Sequence, residues 1–154
     1  MTSMAFSPQA PDFDRRVRAS FARQQVMATL GIEISRLSPG EVELTMPYVA
    51  AYTQQHGFVH AGIVATALDS ACGYAAFSLM PATAGVLTVE FKTSLLAPAR
   101  AQRFIFQAQV VKPGKTLTFC EARALAEDGN AEPRLVASMA ATLMAIYDRP
   151  GITH

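Results

Sequence analysis

The chain of 154 residues predicts an α+β domain in which a curved antiparallel sheet of about six strands wraps around a central apolar helix, with an additional N-terminal helix. Three observations carry this expectation. Residues 61–80, AGIVATALDSACGYAAFSLM, are apolar around almost the whole circumference of a helix, and a helix without a polar face must be surrounded. Two alternating runs precede it and four β-rich runs follow it, which supplies the sheet. With 51% of residues hydrophobic, the length suits one compact domain.

In chain order, residues 1–10 are rich in Ser, Pro and small residues and read as a disordered tail. A single domain is expected over 11–148, and 149–154 form a short C-terminal tail. Over 12–30, Phe13, Val17 and Phe21 recur every fourth residue between arginines, which is an amphipathic helix ended by Gly31. Ile32, Ile34 and Leu37, then Val42, Leu44 and Met46, alternate with polar residues on either side of Pro39-Gly40, so a hairpin is expected that ends at Pro47. A loop, AAYTQQHGFVH, leads into the apolar helix, which runs from Ala61 to Pro81. Strands follow at 86–96, 103–112, 116–125 and 135–147, joined as successive hairpins at Pro98, Pro113-Gly114 and Asp128-Gly129-Asn130.

Composition removes several classes of function. Lys and Arg number 13 against 12 acidic residues, so no net field draws the chain to nucleic acid or an anionic membrane. Cys72 and Cys120 sit in apolar runs, without the spacing of a disulfide framework or zinc knuckle. Together with an N-terminus that lacks a secretory pattern, this reads as a cytoplasmic protein. The stretch 61–80 is long enough to span a bilayer. Asp69, Ser70, Thr66 and two glycines interrupt it and no Lys or Arg flanks it, which favours a buried helix and no membrane. His56 and His60 are four apart but no Glu accompanies them, so no metal and no cofactor are expected. Lys112-Pro-Gly-Lys-Thr116 lacks the first glycine of a phosphate loop, because Gln109 stands there, and is read as a turn.

Between His60 and Glu90 the sole charged side chain is Asp69. A carboxylate amid so much apolar surface is costly unless paired or hydrogen-bonded, so it marks either a structural cap or chemistry. The second reading is preferred.

The segment QQHGFVHAGIVATALDSACGYAA resembles the active-site segment of PaaI-type hotdog-fold acyl-CoA thioesterases, in which a histidine opens the central helix and an acidic residue follows nine positions later. His60 and Asp69 have that spacing. VLTVEFKTSLLAPAR is similar to the family's strand after the helix, and VVKPGKTLTFCEARA to its coenzyme A hairpin, so the likeness covers residues 30–147. The family's His-Gly-Gly is His60-Ala61-Gly62 here, and its asparagine six residues before the histidine is Gln54, with Gln55 as a substitute.

That resemblance implies thioester hydrolysis of an acyl-CoA, with Asp69 as nucleophile or general base. A hydroxyl on the following strand matches Thr88, and Ser70 is the second choice. Thioester hydrolysis needs donors at the developing oxyanion, and helix N-termini present free amides, so the N–H of Ala61 or Gly62 is suited to it, with Gln54 and His60 beside it. Nine residues at about 1.5 Å each place Asp69 roughly 13 Å along the helix from His60, too far for one carbonyl. The two groups therefore serve one site only if they come from two subunits, which predicts a dimer, with a tetramer as its pairwise extension. Arg100, Lys112 and Lys115, with Gly114 in the turn, are candidates to hold the coenzyme phosphates. Tyr74, Phe77, Phe58 and Met80 are candidates to line an aryl or medium-chain acyl pocket. Rival expectations are an enoyl-CoA hydratase or dehydratase, and a non-catalytic acyl-CoA binding module.

Overall fold

A computed structural model describes residues 5–152 and residue 154. The elements are α1 (Phe13–Arg23), α2 (Gln25–Leu30), β1 (Glu33–Ser38), β2 (Glu41–Pro47), α3 (Ala61–Phe77), β3 (Ala84–Leu95), β4 (Arg103–Lys112), β5 (Leu117–Glu127) and β6 (Arg134–Tyr147), with one 3-10 turn at Ala50–Tyr52. All six strands form one antiparallel sheet, in the order β1-β2-β4-β5-β6-β3.

Helix α3 lies against the sheet and touches β2, β3, β4, β5 and β6. Strand alternation sends Phe104, Phe106 and Val110 of β4 inward, while β5 and β6 present mostly small residues, Ala122, Ala124, Ala137 and Ala141 among them. Bulk on one side and alanine on the other let the helix nest closely. Leu68, Ala71, Cys72 and Phe77 of α3 are fully buried there. Arg16 of α1 fastens the far end of α3, donating to the Met80 and Pro81 carbonyls at 3.3 and 3.2 Å and lying 4.7 Å over the Phe77 ring.

Three expectations need correction. The single helix over 12–30 is two, broken at Gln24, whose backbone is extended at φ −79° and ψ 93°. The apolar stripe of Phe13, Val17 and Phe21 meets Gln24-Gln25 where its next member is due, so the chain is free to bend. β3 and β4 are not hairpin neighbours, since β2 occupies the edge of β4 and β3 pairs with β6 alone. The connecting segment instead crosses the sheet end, where Leu96 N–H donates to Val136 O at 2.9 Å and Val59 N–H to Ala99 O at 2.8 Å. The terminal segments are held as well. Gln9 N–H donates to Leu79 O at 3.3 Å and Ala10 is buried, while the His154 ring sits 5.2 Å from that of Phe77. Residues 1–4 and Thr153 lie outside the described residues.

As an edge strand, β3 carries its inward-facing side beyond the reach of α3. Phe91 and Leu95, register partners of the inward Ala141 and Ala137, stay 47% and 58% exposed. Truncating the core beneath α3 tests the enclosure directly. Leu68→Ala is expected to lower unfolding stability by about 3 kcal/mol, read as a fall in the urea midpoint at constant slope.

Candidate active site

The start of α3 is built around His60. As the N-cap, its Nδ1 accepts the Gly62 N–H at 2.9 Å. Two consequences follow for the chemistry. The Gly62 amide is consumed by the cap, whereas the Ala61 N–H finds no acceptor among the described residues. An accepting Nδ1 places the neutral ring's proton on Nε2, where it is a donor on the exposed side of the imidazole.

Gln54 lies in the preceding loop, its N–H donating to Phe58 O at 2.8 Å, and its side-chain oxygen accepts the His56 N–H. With that oxygen engaged, the carboxamide NH2 is left as a donor. Gln54 and Ala61 line one cavity of about 400 Å³, walled by Phe58, Val64, Leu95 and Val136. Gln55 is exposed and does not line it.

Asp69 stands further along α3, half-buried, with Thr88 Oγ1 donating to its Oδ1 at 2.7 Å. Thr88 pairs with the inward Leu143 in register, which is why its hydroxyl faces the helix. Burial raises the Asp69 pKa above the ordinary 3.8, and the Thr88 hydrogen bond offsets part of that rise. Ser70 points elsewhere and donates to Gln24 Oε1 at 3.1 Å, so Thr88 supplies the hydroxyl at Asp69. Asp69, Ser70 and Thr88 border a second cavity of about 90 Å³, together with Gln24, Tyr74 and His154. Tyr74 thus lies beside the carboxylate, Phe58 beside Ala61, and Phe77 and Met80 are packed in the core.

The two cavities have no lining residue in common. Within one chain, the free amide with its accompanying donors and the carboxylate open onto different spaces. No thiol competes with Asp69, since burial pushes Cys120 up to about 12 and Cys72 well above its ordinary range. Of the cations, Arg100 is exposed near the Ala61 end and lines a further cavity with Tyr48, Gln102 and Asp128. Lys112 and Lys115 are exposed at the β4–β5 turn, at the end of the sheet where β6 meets the start of β3. Gly114 closes that turn, because a Cβ there would lie 2.2 Å from Leu117 O.

Gln24 and His154 went unmarked in the sequence. Two adjacent glutamines in the path of an apolar stripe were the available signal for the first. His154 carries no local pattern.

A sheet curled around an apolar helix, with an unsatisfied amide at the helix start and a desolvated carboxylate along its side, defines the hotdog class of hydrolases. Residues 56–132 match the family model described as Thioesterase superfamily. The "Putative esterase" of Halobacterium salinarum is 36% identical over 119 residues, 73% of this chain and 78% of the relative. A thioesterase family protein from Silicibacter pomeroyi has the same fold at TM-score 0.86 and 62% identity, over 88% of this chain and 98% of that one. The Escherichia coli PaaI protein from the phenylacetic acid degradation operon superposes at TM-score 0.79, with 21% identity over 90% and 96% of the two chains. The chain belongs to the thioesterase superfamily, with the fold of its PaaI-type hotdog members, and is a thioester hydrolase.

Ala61 is the first helical residue and His60 before it has φ −57° and ψ 136°, a backbone that accepts a following proline. Ala61→Pro therefore deletes one N–H and leaves the helix start intact. Its kcat is expected to fall by about 10²-fold or more, with circular dichroism unchanged. For Asp69 the sign is fixed by the direction of its shift. Folded Asp69 holds its proton to higher pH than the unfolded residue, so ionising it lowers stability as pH rises through that window. The acid limb of kcat is expected above 3.8, and Asp69→Asn to abolish turnover while raising Tm at neutral pH.

Proposed function

We propose that this chain is an acyl-CoA thioesterase acting as a homodimer, with each site shared between two subunits. The observation that carries the reading is the separation of the two cavities on one helix, the free Ala61 amide in one and Asp69 in the other. Hydrolysis needs oxyanion donors and an attacking group around the same carbon. Two-fold pairing across β3 lets the two meet.

The edge position of β3 supports that pairing. Its outer backbone groups are unpaired in one chain, and Leu87, Val89, Phe91, Leu95 and Leu96 are 43–58% exposed along it. A run of apolar side chains on an open sheet edge matches an interface. A second pairing into a tetramer extends the same symmetry.

In the proposed site the thioester carbonyl oxygen accepts from the Ala61 N–H, the Gln54 carboxamide and His60 Nε2–H of one subunit. These donors are already oriented, the amide by the helix start, the carboxamide by its bond to His56 and the imidazole by its bond to Gly62. Asp69 of the partner subunit, held at Oδ1 by Thr88, attacks the carbonyl carbon or takes the proton of an attacking water. The C–S bond then breaks and the sulfur takes the electron pair and a proton, from protonated Asp69 where water attacks and from solvent where Asp69 itself attacks. In the latter case water then hydrolyses the acyl–Asp69 anhydride to free acid and restores the carboxylate. The apolar cavity of about 400 Å³ beside Ala61 suits an aryl or medium-chain acyl group. Exposed Arg100, Lys112 and Lys115 are free to meet coenzyme phosphates. The balanced charge and the buried, unbridged cysteines support a cytoplasmic setting.

Thiol release across acyl-CoAs of graded length and aromaticity, beside hydration of enoyl-CoA, tests the reaction. Hydration without thiol release would reject it. Sharing of the site is read by mixing two inactive proteins, Ala61→Pro and Asp69→Asn, after unfolding and joint refolding. Random pairing restores about one quarter of wild-type activity, because half the dimers are mixed and each carries one intact site. A site contained within one chain restores none.

A further inference from the structure

Gln24 sits where α1 gives way to α2, and the extended backbone at this one residue directs its side chain onto α3. There its Oε1 accepts the Ser70 hydroxyl at 3.1 Å, one residue past Asp69. With the oxygen engaged, the NH2 has no acceptor among the described residues, although Gln24 lines the 90 Å³ cavity that Asp69 also lines.

The other polar walls of this cavity are occupied with one another. Tyr74 Oη and Ser20 Oγ lie 3.2 Å apart, Ser20 Oγ is 3.2 Å from His154 Nδ1, and His154 Nε2 accepts the Val86 N–H at 3.4 Å. Thr88 is spent on Asp69 Oδ1. Two functions then remain unpaired around one small space: the Gln24 NH2, which donates, and Asp69 Oδ2, which accepts. An ordered water needs two to four polar partners, and this cavity has ample room for one, with the right partners between the two groups. An acyl chain belongs in the larger apolar cavity instead.

Gly73 gives an independent sign that the space is kept open. It lies inside α3, one turn after Asp69, where glycine weakens a helix, and it borders this cavity. A Cβ there would meet no atom within 4 Å, so packing does not demand the glycine.

We propose that Gln24 is a positioning residue whose carboxamide, from the break between α1 and α2, holds the hydrolytic water against Asp69. This rests on the thioesterase reading above. The water accepts from the Gln24 NH2 and donates one hydrogen to Asp69 Oδ2. Its oxygen forms the new bond to the thioester carbon as that hydrogen passes to the carboxylate as a proton. When the C–S bond breaks, the sulfur takes the electron pair and the carboxylic acid returns the proton to it, giving free acid and thiol.

Three variants test the assignment by kcat, KM and Tm. Gln24→Ala is expected to lower kcat by about tenfold to a hundredfold with KM within about twofold. Gln24→Glu keeps an oxygen for Ser70 but replaces the donor with a second carboxylate, so kcat falls and the acid limb moves to higher pH. The titratable and charged groups around Asp69 that are left unchanged are, among the described residues, Cys72 on the same helix, Tyr74 and His154, with Arg16 and Arg23 beyond them. Gly73→Ala is expected to raise Tm through helix propensity and yet lower kcat, which a structural role for the glycine does not produce. Wild-type kcat in Gln24→Ala with an unmoved acid limb in Gln24→Glu would overturn the assignment. If Asp69→Asn is inactive at the same time, only the role of Gln24 falls; if Asp69→Asn is active, the thioesterase mechanism falls with it.

Discussion

The molecule is organised by the need to enclose a helix that has no polar face. α3 is shielded by five strands, and the alanine-rich inner faces of β5 and β6 bring the backbone close enough to leave little empty space. Enclosure is incomplete at the helix start, where the first amide lacks an acceptor among the described residues, and along the side facing β3, where Asp69 stands half-buried. The desolvated carboxylate costs stability and is tolerated because the surrounding packing holds it in place, whereas the exposed Ala61 amide is open to solvent.

The electrostatic logic of the two ends is complementary. The helix start concentrates donors, and its dipole favours negative charge on the oxygen of a carbonyl under attack. Partway along the helix that stabilisation is spent, and Asp69 retains a raised proton affinity with Thr88 as its one charge-stabilising hydrogen bond among the described residues. The same helix thus carries an electron-withdrawing end and an electron-donating flank. Its length keeps them from neutralising each other.

Much of this was legible in the sequence, and the reasons for what was missed are physical. Strand alternation located β4 to the residue and the other strands to within about two, because inward and outward sites differ sharply in polarity. Turn residues marked where strands end but carry no information about which strand lies alongside, so the partner of β3 was misread as β4. Asp69 was conspicuous as a lone charge among apolar residues, whereas the choice between Ser70 and Thr88 depends on which side of α3 faces β3. The engagement of Gly62 by His60 turns on a side-chain rotamer and leaves no trace in residue order. Gln24 and His154 reach the cavity beside Asp69 from remote parts of the chain, a convergence that local patterns do not encode.

The edge strand has a consequence for the life of the protein before assembly. A freshly made protomer displays a row of unpaired outer backbone groups along the twelve-residue β3, bordered by large apolar side chains and without the lysines or prolines that commonly blunt such borders, save for Lys92. The break in β3 register between Thr88 and Glu90 adds a local kink, which narrows the set of alignments that a second strand adopts. In the dimer proposed above, mating with an identical copy and clumping with strangers would therefore draw on one and the same adhesive border, and dilution during synthesis would decide between them.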